Sequence, residues 1–400
     1  MAGIVVIGAG QAGSSLVAKL RALGHEGAIT LIGEEPVPPY QRPPLSKAYL
    51  LGKMDLERLF LRPERYYADH DIALRLGTPV SRIDRASKTM WLGDEAIGYD
   101  QLALTTGATP RRLPAAIGGD LGGVYAVRRL SDIDAMAPEF AEGRRLLIVG
   151  GGYIGLEAAA VAAQKGVIVT LIEAAPRILG RVAAPETADF MRALHASHGV
   201  TIREGVGLTR LRGESRVTGA DLADGSALEV DFVIVGIGVA PADDLARDAG
   251  LTLDNGIAVD ALGRSSDPGI WAAGDCASFV YRGQRIRLES VQNAIDQAES
   301  VAANMLGADM PYAPMPWFWS DQYAMKLQIA GLNTGYDRVV IRTVGAARSH
   351  WYYRGDEFVA VDAMNDPRAY MVGKRLLEHG TSPDPVALEN ADTDLKALLG

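Results

Sequence analysis

Two sets of glycines offer the first chemistry in this sequence: Gly8, Gly10 and Gly13, and then Gly150, Gly152 and Gly155. Both follow G-x-G-x-x-G spacing between an apolar run and a helix-forming run. At that spacing the first glycine permits a tight turn, the second lets the backbone approach a pyrophosphate, and the third lets helix pack on strand. The helix N-terminus adds unpaired N–H groups and the positive end of its dipole. An acid follows each loop at the end of the next apolar run: Glu34, 21 residues after Gly13, and Glu173, 18 after Gly155. A carboxylate there accepts from ribose hydroxyls and repels a 2′-phosphate, which favours NADH over NADPH wherever the nicotinamide binds. The competing reading is of ordinary strand-to-helix turns with surface acids. The repetition of the whole arrangement argues against it.

Two dinucleotides in one chain suggest FAD and NADH, with hydride passing between them. The first loop is assigned to FAD, because the Pro-rich loop, Thr106-Gly107 and Gly274-Asp275 offer additional contacts to a resident cofactor. The second is assigned to NADH, which must come and go.

The elements that position these loops follow from the hydrophobic pattern. "GIVVIGAG" (3–10) and "AITLIGEE" (28–35) read as buried parallel strands around the helix "SSLVAKLRALG", and residues 144–179 repeat this βαβ unit. "EPVPPYQRPPLSKAYL" (35–50) is too rich in proline for regular structure before about Leu45. "YDQLALTTGATPR" (99–111), "VDFVIVGIGVAP" (230–241) and "SSDPGIWAAGDCASF" (265–279) add strands that close in glycine turns. After the aromatic and proline cluster "MPYAPMPWFWSDQY" (310–323), alternating runs predict a small antiparallel sheet, with helices from Pro367 and a peripheral tail, "NADTDLKALLG".

Composition narrows the function classes. The 400-residue chain is 48% hydrophobic and 22% charged, with a net charge of −9. That balance argues against nucleic acid or an anionic membrane as a main partner. Cys276 is the one cysteine, so neither an intramolecular disulfide nor a dithiol redox centre can form. No apolar run of about 18 residues spans a membrane, and the N-terminus lacks a signal-peptide pattern. The expected location is the cytoplasm.

At "RPPLSKAYL", "IVGGGYIGLE", "AAGDCA", "ESVQNAIDQA" and "PWFWSDQY" the chain resembles the putidaredoxin-reductase-type bacterial ferredoxin reductases, over essentially its whole length. The resemblance implies an α/β, glutathione-reductase-like fold: two Rossmann-type dinucleotide-binding domains plus a C-terminal α+β domain. The expected boundaries are 1–112 and 241–316 for the FAD domain, 113–240 for the NADH domain and 317–400 for the C-terminal domain. It implies that Ala12 and Gly13 meet the FAD pyrophosphate and Glu34 its ribose. Arg42 and Lys47 would approach the flavin, Val80 and Arg128 the adenine side. Asp275 would bind the ribityl chain, and Val291 would offer its backbone N–H to the ring. On the NADH side Ile154, Glu173, Arg181 and Gly238 match. Lys47 and Glu157 fit the family's amine–carboxylate pair beside the nicotinamide and flavin N5, and Trp319 an aromatic flanking the ring. Glu299 departs from relatives that carry a basic residue there, which bears on the docking surface.

Several of these residues have plainer readings. Glu157, placed in the first turn of the second loop helix, would be favoured there by the dipole alone, and Lys47 could be a solvated loop lysine. Cys276 reads as a packing residue. His195 and His198 lie three apart on a helix, without further ligands at metal spacing, and read as a surface pair. Trp317 reads as an interdomain plug. Arg62, Arg65 and Lys326 are candidates for a basic docking patch.

The expected activity is reduction of FAD by NADH, followed by single-electron delivery to a 2Fe–2S ferredoxin serving a monooxygenase or dioxygenase. No metal site, nucleic acid or membrane partner is expected. The rival from another class is an NADH-sensing flavoprotein that acts by binding a partner, like apoptosis-inducing factor. A thiol-independent NADH oxidase or reductase is a further alternative. A disulfide or peroxide reductase would need a cysteine facing the flavin, and residues 35–50 contain none.

Overall fold

The computed structural model describes residues 3–399. The chain divides into two compact units. One comprises Met1–Arg42, Met54–Thr109 and Val239–Pro314; the other comprises Pro43–Lys53, Pro110–Gly238 and Met315–Gly400.

In the first unit the run Ile4–Ile7 is the central strand of a five-stranded parallel sheet. Its order is Ile270–Ala272, Gln101–Leu104, Ile4–Ile7, Ile29–Ile32, Ile72–Arg75. All four residues of the central strand are buried, as expected of a strand with both sheet faces covered. The helix Gln11–Ala22 crosses one face and packs on Val291–Met305, where Leu16, Leu20, Ala298 and Val301 share a core. A three-stranded antiparallel sheet, Arg82–Asp84, Thr89–Leu92 and Glu95–Gly98, flanks it.

The second unit repeats the plan. Arg145–Val149 is central in a parallel sheet of order Thr201–Glu204, Ile168–Glu173, Arg145–Val149, Phe232–Val235, Val124–Ala126. In both units the glycine-loop strand pairs on one side with the strand that follows it and on the other with a strand from much later in the chain. The loop therefore emerges at a point where the strand order reverses, the usual place for a ligand crevice in an open α/β sheet.

The same unit contains an antiparallel five-stranded sheet ordered Trp317–Gln322, Met325–Gly331, Glu357–Met364, Ala347–Arg354, Arg338–Val344. The helix Pro367–His379 covers it, packing Tyr370, Leu376 and Leu377 onto Trp351 and Val361. The tail is not peripheral. Leu395 is buried, and the Arg342 guanidinium donates to the carbonyls of Leu388 (3.2 Å), Ala391 (2.8 Å), Thr393 (2.8 Å) and Asn390. A fork of donors meeting carbonyls from the end of the helix Pro385–Glu389 and the chain that follows satisfies backbone groups left without an intrahelical partner.

Buried polar groups join this sheet to the helix Pro185–Ser197. Thr187 Oγ1 lies 2.7 Å from both Asp362 Oδ2 and His350 Nδ1. Tyr352 donates its hydroxyl to Asp362 Oδ2 and accepts from the Ala184 N–H at 3.1 Å. Thr187, His350, Tyr352 and Asp362 are each at most 1% exposed. Burial pushes the Asp362 carboxyl up to about 6 and the His350 imidazole down to about 3.

Candidate active site

The two glycine loops divide their three glycines between the same two causes. Gly8 and Gly150 have φ of +113° and +111°, and a Cβ on either would stand 2.2 Å from the Thr105 carbonyl oxygen or 2.4 Å from that of Gly236. A Cβ on Gly13 would lie 2.1 Å from the Gly8 oxygen, and one on Gly155 would lie 2.2 Å from the Gly150 oxygen. These four are glycine because the protein's own backbone leaves no room. Gly10 and Gly152 differ: φ is negative at both, and a Cβ would meet nothing within 4 Å. Each begins its helix with no side-chain cap, beside unused N–H donors. Open space over a helix N-terminus, kept clear at the one position the fold itself does not restrict, fits a dinucleotide pyrophosphate.

Around the first loop, Thr105 Oγ1 donates 2.9 Å to the Gly8 carbonyl and lies 3.1 Å from that of Ile7. Its neighbour Thr106, the residue the sequence points to, instead donates its hydroxyl to the Ala242 carbonyl at 2.5 Å. Ala12 is buried with its methyl against Gly274, whose N–H donates to Gln297 Oε1 at 2.9 Å. Asp275 is half-buried, and its carbonyl accepts from Arg287. Val291 opens the helix Val291–Met305, capped by Ser290, so its N–H is one of the donors the helix does not use. Glu34 is exposed just past its strand. Val80 packs half-buried against the core that includes Ile83 and Met90. The Arg42 guanidinium is held by Glu35 at 2.9 Å and by the Tyr40 hydroxyl at 3.1 Å. Glu299 forms an ion pair with Lys19 at 3.1 Å.

Around the second loop, Glu173 accepts from the Gly151 N–H at 2.7 Å and from the Ala175 N–H at 2.8 Å. It thus pins the loop as well as presenting a carboxylate beside it. Ile154 and Arg181 are exposed near the helix start and after the second strand, and Gly238 turns at φ +92° with its carbonyl taken by the Arg111 N–H. Arg128 is half-buried, with its backbone N–H on Asp132 Oδ2 at 3.1 Å.

A buried ion pair lies one turn into the second loop helix. Helix Tyr153–Gln164 places Glu157 at its fifth residue, not in the first turn, so the dipole does not account for it. The proline-rich loop ends in a π-helical turn, Leu45–Tyr49, whose i+5 hydrogen bonds include Tyr49 N–H to the Pro44 carbonyl at 3.0 Å. That turn delivers Lys47 Nζ to 2.9 Å from Glu157 Oε1 and Ser46 Oγ to 3.3 Å from Oε2. Ser320, on the strand Trp317–Gln322, donates to Oε1 at 2.7 Å. Burial raises the Glu157 carboxyl, opposed by Lys47 and the two serines. Neither serine was singled out in the sequence, because nothing local marks a serine as aimed at a carboxylate so distant in the chain.

The strand alternates as a half-buried strand should. Trp317 and Trp319 lie 5.5 Å apart, with Trp317 against Tyr370 and Lys374 of the helix behind the sheet. Phe318, with Ser320, faces the loop helix, its ring 5.0 Å from Tyr153. Trp317 therefore packs in the C-terminal core, and Phe318 makes the contact expected of a plug.

Residues 2–298 match the family described as pyridine nucleotide-disulphide oxidoreductase, and residues 317–399 match the reductase C-terminal domain. The chain belongs to that family. It is 44% identical over 383 residues to a ferredoxin–NAD(P)(+) reductase of a Sphingomonas species, covering 94% of this chain and 92% of that protein. It is 42% identical over 402 residues to rhodocoxin reductase of Rhodococcus erythropolis, covering 99% and 94%. The crystal structure of a covalent putidaredoxin reductase–putidaredoxin complex matches with a TM-score of 0.96 at 40% identity, covering 100% of this chain and 98% of that one. The fold is that of glutathione reductase, with two Rossmann-type domains and a C-terminal domain.

Although the family is named for disulphide chemistry, this oxidoreductase has one thiol, and Cys276 is fully buried. Its Sγ lies 3.4 Å from the carbonyls of Leu104 and Ala273, and burial pushes the thiol up. The expected histidine surface pair is half wrong. His198 is exposed and stacks on Tyr323 at 3.7 Å, whereas His195 is fully buried between Gln322 and Tyr323. Among the described residues no helix is long and apolar enough to cross a membrane.

Proposed function

We propose that this oxidoreductase is an NADH-dependent ferredoxin reductase of the cytoplasm, delivering electrons to a 2Fe–2S ferredoxin that serves a monooxygenase or dioxygenase. The observation that carries this reading is the pairing of two open glycine cradles with a single buried thiol. Two dinucleotides make a redox chain, and a buried, protonated thiol cannot pass electrons on, so they must leave to an external acceptor. FAD, when bound, accepts two electrons from NADH and releases them one at a time. The relatives' names, ferredoxin–NAD(P)(+) reductase and putidaredoxin reductase, support a small iron–sulfur protein as that acceptor.

The residues then divide as follows. Gly8, Gly10, Ala12 and Gly13 with Glu34 hold the FAD pyrophosphate and ribose; Arg42, Val80, Arg128, Asp275 and Val291 complete the FAD site, with Trp319 flanking the ring. Gly150, Gly152, Ile154 and Gly155 with Glu173, Arg181 and Gly238 hold NADH. Lys47 and Glu157 stand at the nicotinamide, orienting it rather than exchanging a proton with it, since placement dominates a hydride transfer. The division at 1–112, 113–240, 241–316 and 317–400 follows the same reading.

The test is turnover by the flavin-loaded protein. NADH should drive rapid reduction of both ferricyanide and a 2Fe–2S ferredoxin, and Cys276→Ser should keep both activities. Slow turnover with each acceptor, beside a long-lived reduced complex with nicotinamide, would instead support an NADH sensor.

A further inference from the structure

Ser320 is the end of a hydrogen-bonded chain that starts at the surface. The Tyr323 hydroxyl lies 3.1 Å from His195 Nδ1, and His195 Nε2 lies 2.7 Å from Gln322 Oε1. Gln322 Nε2 donates to Ser320 Oγ at 3.1 Å, and Ser320 donates to Glu157 Oε1 at 2.7 Å. His195, Gln322 and Ser320 are each at most 1% exposed. Only one placement of protons satisfies every member. An ionised carboxylate can only accept, so Ser320 must donate and must in turn accept from the amide N–H₂ of Gln322. The amide oxygen then takes the Nε2–H of His195, leaving Nδ1 to accept from Tyr323. Every donor in the chain points towards Glu157. Tyr323 sits at the tip of the Gln322–Met325 hairpin with φ +56°, a conformation unfavourable for a tyrosine, and its ring lies between His195 and exposed His198.

We infer that Ser320, Gln322 and His195 are positioning residues for the reductase reaction: an aligned donor chain that keeps Glu157 ionised and oriented on Lys47. This rests on the reading of the Lys47–Glu157 pair given above. The chain cannot carry protons readily, because a primary amide interrupts it. Its effect is electrostatic, a row of dipoles whose positive ends face a buried negative charge. The other groups around Glu157 leave it this role. The turn contributes Lys47 and Ser46; of the strands on which its helix packs, Phe232–Val235 is apolar throughout and Arg145–Val149 is apolar after its exposed first residue. Glu173, at the end of the neighbouring strand, is held by Gly151 and Ala175. Around His195 the titratable groups are Tyr323 and His198; burial, opposed by the hydrogen bond to Gln322 and aided by His198, lowers the imidazole, and its bonds to Gln322 and Tyr323 select one tautomer.

Flavin reduction by NADH, followed in a stopped-flow instrument across pH with the flavin-loaded protein, tests this. Ser320→Val, which has the shape of Ser320→Thr but no donor, should slow reduction at saturating NADH by on the order of tenfold at neutral pH, as for one lost bond to a charged group. Its acidic limb should move to higher pH, while the NADH concentration at half-maximal rate stays within about twofold. Ser320→Thr should restore both rate and limb. At the far end His195→Phe should shift the limb in the same direction by less, and His195→Gln, which carries an amide donor at the Nε2 position, should reverse that shift. If Ser320→Val does not fold, the His195 pair decides. Identical pH profiles for Ser320→Val and Ser320→Thr, or for the two His195 variants, would overturn the chain while the enzyme reading stands. Failure of NADH to reduce the wild-type flavin would bring down the reading beneath it.

Discussion

Lys47 Nζ stands 2.9 Å from Glu157 Oε1, and both side chains are largely removed from solvent. Lys47→Met would strand the carboxylate, and the response of least cost is to bind a proton. Its folded pKa, already raised, would rise further, so the group's stabilising contribution is present at acidic pH and lost as pH climbs through that value. Lys47→Met should therefore be destabilised relative to wild type by about 3–5 kcal/mol at pH 8, and by clearly less at pH 5.5. Denaturant midpoints at the two pH values check this, and an equal deficit at both would show that Glu157 is not the group left unpaired.

Gly10 and Gly13 should fail in different ways. Gly10→Val puts a side chain into space that no protein atom occupies, so the chain should fold, keep its circular dichroism and lose the flavin absorbance. Gly13→Ala pushes a methyl to within 2.1 Å of the Gly8 oxygen and should lower the melting temperature even of the flavin-free protein. A Gly10→Val protein that purifies fully yellow would mean that the first loop does not hold the pyrophosphate.

Asp362 predicts a pH dependence of stability. Its carboxyl is raised to about 6 by burial, despite accepting from Tyr352 and Thr187. Stability from this group is complete below the ordinary carboxylate range and is lost as pH rises through about 6. Asp362→Asn keeps an acceptor oxygen without the charge. Between pH 5 and 7.5 wild type should lose about 1.4 kcal/mol more than the variant. Urea titrations of both proteins at the two pH values measure it, and parallel pH profiles would assign the effect elsewhere.

Ferredoxin docking should depend on local basic charge despite the net −9. Arg62 drops out of the proposed patch, since it donates to Ser14 Oγ at 2.8 Å and lies over the Tyr66 ring. Arg65 and Lys326 are exposed. Arg65→Glu should raise KM for an acidic ferredoxin severalfold, with added salt weakening wild type more than the variant. Reduction of ferricyanide should be almost unchanged. Equal loss with both acceptors would mean that Arg65 supports the fold.

What was legible in the sequence was what local backbone geometry demands. Gly8, Gly13, Gly150 and Gly155 could be read because any side chain there collides with main chain a few residues or one strand away, and the spacing records that collision. The same grammar located Glu173. What escaped was set by partners far along the chain. His195 looks like half of an exposed helical pair, since Gln322 and Tyr323, which bury it, are 127 and 128 residues distant. Trp317 and Phe318 exchanged roles because the face of a strand turns over with each residue, and composition does not say which face meets which neighbour. The tail looked peripheral because Arg342, which ties it down, belongs to a strand.

The helix Pro185–Ser197 is joined to the C-terminal sheet at Thr187 and again at His195, two turns apart, and neither junction is apolar. Greasy interfaces tolerate exchange, because many shapes bury equally well; a junction of matched donors and acceptors does not. A chimera that grafts another reductase's residues 317–399 onto this nucleotide-binding half would leave Thr187 and His195 facing strangers. Such grafts should succeed only when the helix travels with the sheet, which makes the two a single heritable module despite the long stretch of chain between them.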